Sequence, residues 1–248
     1  DFSHTAAMEI YWMASLSLDM VEIQHTLENV QQQYYSIITM LDARIAPMDD
    51  LVIDNLLAGY ELIDQFVNEG IDLFSLGYST HILEINNTVL FGPANGKDRQ
   101  HYTQQLKASE KYFYEKSSGG IQDLIEYHQQ THFSDAFTEA AAVYIRTLAQ
   151  PQLFVEGNHR TGVLLMSYIL LRNGFPPFVL SADNAKHYFE APPISKIKRH
   201  SLTMLIKRSQ LNRFIASLLK KEASKAHHYF LDKSKATHIT DKKGRFYG

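Results

Sequence analysis

The chain has 248 residues, 45% of them hydrophobic and 21% charged, an ordinary globular composition with room for one large core or a main domain with appendages. A net charge of -3 excludes a general electrostatic attraction to nucleic acid or acidic membrane, and the absence of cysteine excludes disulfides, thiolate metal sites and a thiol nucleophile. A cytoplasmic location fits the absence of cysteine, and no run of about 18 apolar residues is present, so no membrane span is expected.

The first residues, Asp1-Phe2-Ser3-His4, lack both an initiator Met and the basic-then-apolar order of a signal peptide, which points to a trimmed chain. From Ala6 to Ile45 the composition is helical, with Leu16, Met20, Ile23, Leu27 and Val30 recurring at three- and four-residue steps. Pro47 ends this helix, and Asp49 with Asp50 caps the next, Leu51 to Asn68, which Gly70 closes. A third helix is expected from Ser79 to Leu90, stopping at Phe91-Gly92-Pro93. No alternating pattern interrupts this half.

Residues 93–120 are polar and punctuated by Gly96, Gly119 and Gly120, but Lys111-Tyr112-Phe113-Tyr114 has the composition of a short strand. A surface loop with its aromatics folded onto the body is the alternative. Two helices follow, Ile121 to Gln130 and Ser134 to Leu148, the second with Phe137, Ala140, Ala141, Tyr144 and Leu148 on one face. Gln150-Pro151 then breaks the pattern.

What comes next is a polar, Gly-bearing loop, Gln152 to Gly162, running straight into the nearly continuous apolar stretch Val163 to Leu171. A loop that feeds a core helix presents that helix's first backbone N–H groups at a fixed place, a natural anion site. Gly157 permits φ > 0 and close approach, Asn158 can bond a phosphate oxygen or close the turn, Arg160 offers a planar charged fork, and Glu156 is a hard ligand for Mg²⁺. The plainer reading is a helix cap with Asn158 as N-cap and Arg160 paired with an acid. It is not a Walker A loop, because Val163 and Leu164 follow Gly162 where Lys and Ser/Thr are required.

Beyond the apolar helix, Asn173-Gly174 and Pro176-Pro177 force an extended turn, and Asn184, His187 and Tyr188 lie on a short helical piece. Pro192 and Pro193 begin a last helical block, Ile194 to Leu219. From Lys220 to Gly248 eight Lys/Arg face three Asp/Glu, the composition of a solvated tail or of a nucleic-acid contact. His227 and His228 are adjacent, which is not the spacing of a helical metal pair.

Phe154-Val155-Glu156-Gly157-Asn158-His159-Arg160 resembles the signature loop of the Fic (Fido) family, His-x-Phe-x-(Asp/Glu)-Gly-Asn-(Gly/Lys)-Arg-x-x-Arg. The likeness extends from Ile82-Leu83-Glu84-Ile85-Asn86-Asn87 through Asp135-Ala136-Phe137 to Asn173-Gly174-Phe175-Pro176-Pro177, Asn184 and Tyr188. It implies an all-α bundle with a short β-hairpin flap near Lys111 to Tyr114, which would hold a target protein or peptide by strand pairing. It also implies ATP and Mg²⁺ as cofactors and transfer of AMP to a Ser, Thr or Tyr hydroxyl. The sites so implied are Gln152, Glu156, Asn158 and Arg160 for catalysis, Glu156 for the metal, and Gly157, Asn158, His159, Arg160, Thr161, Gly162 and Tyr188 for the nucleotide, with Tyr188 against the adenine; half-buried packing is the plainer reading of that Tyr.

Two positions depart from the family pattern. Gln152 stands where the family has the His that takes the hydroxyl proton, and an amide is not a base near neutral pH. Val163 stands where the family's last Arg holds the γ-phosphate. His159 occupies the Gly/Lys position, where a solvent-facing or capping role is expected. Glu28-Asn29 resembles the end of the family's inhibitory motif, though Gln24 replaces its Ser/Thr; Glu28 would turn to Arg160 or lie on the wet face of its helix.

The expected organisation is a helical N-terminal lobe (1–48), a Fic-like core (49–190), C-terminal helices (191–222) and a basic tail (223–248). Two functions stand open, an adenylyltransferase with its base missing and a pseudoenzyme that binds a nucleotide or a partner. A homodimer is a further expectation, a membrane partner is not, and a nucleic-acid module, resting on the tail alone, is the weakest reading.

Overall fold

The computed structural model describes residues 17–41, 48–189 and 194–226. The expected N-terminal start, the outer parts of the first helix, Pro47, Pro192, Pro193, His227 and His228 lie outside the described residues, as does the tail beyond 226. The described residues form ten α-helices and no sheet; an isolated parallel bridge joins Gln150 to Lys198.

The helices begin with α1 (Met20–Gln32) and α2 (Tyr34–Leu41), so the single long helix expected here is two. The break falls at Gln33, after a polar run and before two tyrosines, residues whose aromatic rings lose rotamer freedom in a helix. Asp19 caps α1 through the Glu22 N–H at 3.1 Å, and Ile23, Leu27 and Val30 are its buried stripe. Helix α3 (Asp50–Asn68) starts under its N-cap Asp49, whose carboxylate accepts from the Val52 N–H at 2.8 Å, and α4 (Ser79–Phe91) stops at Gly92.

A 3₁₀ segment (Lys97–Tyr102) leads into α5 (Thr103–Tyr114). The expected strand at Lys111 to Tyr114 is therefore the last turn of a helix, and no flap hairpin is present among the described residues. Gln, Leu, Lys, Ala and Glu dominate the segment and favour helix, while Ser109 and Phe113 bury at i, i+4 spacing. The three aromatics point in three helical directions: Tyr112 to the Gln152 carbonyl, Phe113 onto Phe154, Tyr114 to solvent.

Helix α6 (Ile121–Gln130) matches expectation. Helix α7 (Ala136–Leu148) is capped by Asp135, which accepts from the Thr138 N–H at 2.8 Å; Ser134 stands outside it. Helix α8 (Asn158–Arg172) is the axis of the molecule, with every side chain from Thr161 to Leu171 buried. It packs against α7, α3 and α4. Two glycines let helices approach there: a Cβ on Gly162 would lie 2.8 Å from the Tyr144 ring, and one on Gly59 would collide with Leu164.

Helix α9 (Ala182–Phe189) and a short 3₁₀ turn (Ile194–Lys196) follow. The last helix, α10 (Leu202–Ala226), lies along α7. It begins later and runs further than the Ile194 to Leu219 block expected from sequence. Ile23 and Leu27 of α1, the α8 stripe, and Leu211 to Ala223 of α10 belong to one continuous apolar core. The terminal helices thus share a single interior with the centre.

Candidate functional site

The entry to the loop is tied down by main-chain bonds to the segment before α10. Gln150 N–H donates to the Ile197 carbonyl at 2.8 Å, and the Arg199 N–H donates to the Gln150 carbonyl at 2.6 Å. The Arg199 guanidinium, buried, reaches the carbonyls of Gly119 (3.1 Å) and Pro151 and the carboxylate of Asp123 (3.2 Å). Leu153 N–H then donates to the Thr147 carbonyl at 3.0 Å, and the Phe154 ring stacks on Phe113 at 5.3 Å.

Asn158 is the internal strut. Its side chain is buried; the amide NH₂ donates to the Phe154 carbonyl at 2.8 Å and the amide oxygen accepts from the Phe154 N–H at 2.9 Å. The Gln152 amide oxygen lies 3.4 Å from the same NH₂. An amide that closes both backbone groups of one residue satisfies them where water cannot. The N-cap is Gly157, at φ +73°, so Asn158 is the first helical residue and braces the loop from there. A Cβ at Gly157 would stand 2.9 Å from Asn86 Nδ2.

Asn86 supplies the second strut. From α4 its NH₂ donates to the Glu156 carbonyl at 3.0 Å and to the Thr161 hydroxyl at 2.9 Å, holding both sides of the helix start. Its bracing role lay beyond the sequence reading, as did the charge that the helix cap Asp49 exerts on Arg160. An Asn pair within an otherwise apolar helix was the available signal, since buried amides require partners.

The outward side of the loop is Val155, Glu156 and His159, all exposed, with Arg160 half-buried beside them. Arg160 donates to the Val89 carbonyl at 3.2 Å. Desolvation lowers its pKa, and the charges of Asp49 and Glu156 partly restore it. Among the described residues no carboxylate lies within 4.0 Å of it, so its charge is balanced only at longer range. His159 Nδ1 sits 3.2 Å from the Tyr144 hydroxyl; the ring's outer edge reaches solvent while its inner side is close enough to protein for desolvation to lower its pKa.

Other residues singled out from sequence are placed differently. Tyr188 is buried; its hydroxyl accepts from Tyr144 at 2.7 Å and its ring stacks on Phe178 at 5.5 Å, so the side chain is enclosed in the core rather than open to a base. Desolvation raises the pKa of both tyrosines, which keeps their hydroxyls neutral. Glu28 accepts from Gln24 at 2.8 Å on its own helix and does not pair with Arg160. Thr161 and Gly162 are buried at helix contacts, and Val163 is buried in the core. Among the described residues no cluster of three or more His, Asp or Glu could by itself hold a metal.

Residues 77–170, which span α4 to most of α8, match the Fic/DOC family model. This segment belongs to the Fic/DOC family. A search of the curated proteins gave no match. The Fic/DOC segment contains both struts, Asn86 and Asn158, and the whole loop between Gln152 and Gly162. Among the described residues no helix is long and apolar enough to cross a membrane.

Proposed function

We propose that the loop 152–162 with the start of α8 binds the phosphates of a nucleotide, with ATP and Mg²⁺ as the Fic-type pair, and that transfer of AMP to a protein hydroxyl is weak or lost. The observation that carries this reading is Arg160: a guanidinium held beside a helix N-terminus, bonded to one carbonyl, with no carboxylate in contact among the described residues. Cations left in that condition next to helix N–H groups favour an anion.

In the transfer, the target hydroxyl oxygen bonds to the α-phosphorus as the bond to pyrophosphate breaks, pyrophosphate leaves, and the hydroxyl proton goes to a base. Gln152 cannot take that proton, and its amide is drawn toward Asn158. Glu156 is exposed and would be the residue to hold a Mg²⁺, which would offset phosphate charge when bound. Loss of a general base lowers rates by about 10²–10⁴.

The pseudoenzyme reading draws on the same Gln152 together with the buried Val163, and the two are separable. With labelled ATP, the natural chain should place little or no label on protein, and a Gln152→His variant should place more. Titration calorimetry with ATP and Mg²⁺ should show heat that Arg160→Ala abolishes. Absence of heat with the natural chain would end the nucleotide proposal, and rapid labelling by it would end the claim of weakened transfer.

A further inference from the structure

A long groove runs beside α10, away from the loop. It consists of a cleft of about 410 Å³ and a second of about 620 Å³ that share Tyr127 and Arg208. No residue from 152 to 162 lines either. Two features of its walls coincide.

The first is charge. Arg146, His200 and Arg208 line the first cleft, and Arg208, Arg213 and Lys220 the second. The carboxylates nearby are already engaged: Asp123 by Arg146 (2.7 Å), Arg199 (3.2 Å) and His200 (3.7 Å), and Asp135 by Lys220 (2.8 Å). Among the described residues, Arg208 and Arg213 have no carboxylate within 4.0 Å. The groove therefore carries a surplus of positive charge in a chain whose net charge is -3.

The second is apolar surface. Leu202 (71% exposed) and Leu205 (65%) line the first cleft, and Ile206 (71%) adjoins them on the first turns of α10. Three large aliphatic side chains within five helical positions, all facing water, form a patch that needs a reason.

From this we propose that the groove is a docking surface for an acidic, leucine-bearing segment of a partner protein. Its carboxylates would lie against Arg208 and Arg213 and its aliphatic side chains against Leu202 and Leu205. The continuity of the two clefts through Tyr127 and Arg208 suits an elongated chain segment, and the charge surplus selects an acidic one. The proposal is independent of nucleotide binding, because no loop residue takes part.

Fluorescence anisotropy with a labelled peptide of alternating Glu and Leu tests it, using the whole chain. Binding should weaken roughly tenfold in an Arg208→Glu/Arg213→Glu variant and on replacing the peptide's Leu by Ser, and should fall with added salt. Both arginines lie on the outer side of α10, so the variant should keep the natural circular dichroism and melting temperature. A Leu202→Ser/Leu205→Ser variant gives a second reading that leaves charge unchanged. Three results would overturn the proposal: equal affinity in both variants; tighter binding of a single-stranded oligonucleotide at the same arginines; or light scattering showing that a second copy of this chain covers the groove.

Discussion

Between Leu153 and Arg160 the chain passes from side chains that are wholly enclosed to side chains that face water. Phe154 (1% exposed) and Asn158 (5%) have every polar or aromatic group engaged, whereas Val155 is 55% exposed and Glu156 and His159 are open. The inner side carries the energy, since burial of a ring and closure of buried backbone groups are each worth kilocalories. Under the proposed function the outer side would carry the chemistry, since its charged groups make few contacts of their own. Substitutions on the two sides should therefore separate, with inner changes costing stability and outer changes costing ligand.

The largest effect expected is from Phe154→Ala. Loss of a ring stacked on Phe113 and buried on all sides should cost about 3–5 kcal/mol in urea unfolding. Next comes Asn158→Ala, which strands the N–H and carbonyl of Phe154 and should cost about 1–3 kcal/mol for each group left unpaired. Gly157→Ala forces an L side chain into φ +73° and toward Asn86 Nδ2, at about 1–3 kcal/mol. Should that variant melt like the natural chain, the tight contact with α4 is not what positions the loop.

Arg160→Ala tests the outer side. It gives up one bond to the Val89 carbonyl, so the loss in unfolding free energy should stay near about 1 kcal/mol while nucleotide binding disappears. A cost as large as that of Asn158→Ala would erase the distinction between the sides.

The smallest effect concerns acid, far from the loop. Burial works against the charged form of Asp72, but Arg172 at 2.7 Å, the Phe74 amide and Ser75 outweigh it and hold the pKa below 3.8. At Asp135, burial is likewise outweighed by Lys220 and by bonds from Thr138. A lowered carboxylate pKa contributes stability above its unfolded value that is lost as pH falls through the folded value. The loss should thus appear below about pH 4, and an Asp72→Asn/Asp135→Asn variant should show a shallower decline there in a pH series of melting temperatures.

Much of the helical framework was legible because helices are local. The three- and four-residue steps of Ile23, Leu27 and Val30, the cap at Asp49 and the apolar run after Gly162 are patterns that a short window contains. The loop was legible too, through Gly157, Arg160 and the helix behind them. Where local signals competed, the reading slipped: the aromatics of Lys111 to Tyr114 suggested strand, but their partners are Gln152 and Phe154, some forty residues on by the 40-residue separation of Tyr112 from Gln152.

By itself the sequence determined a mainly helical framework with a polar loop opening a buried helix, and it named the residues of that loop. Only the tertiary structure decided their division of labour. Asn158 turns inward to brace Phe154, Tyr188 is consumed by Tyr144 and Phe178, Glu28 stays on its own helix, and Arg160 is left with only the longer-range charges of Asp49 and Glu156. The reason is that a polar side chain's role depends on whether a partner arrives from elsewhere in the chain, as Asn86 does across 70 residues to the Glu156 carbonyl, and no local pattern carries that information.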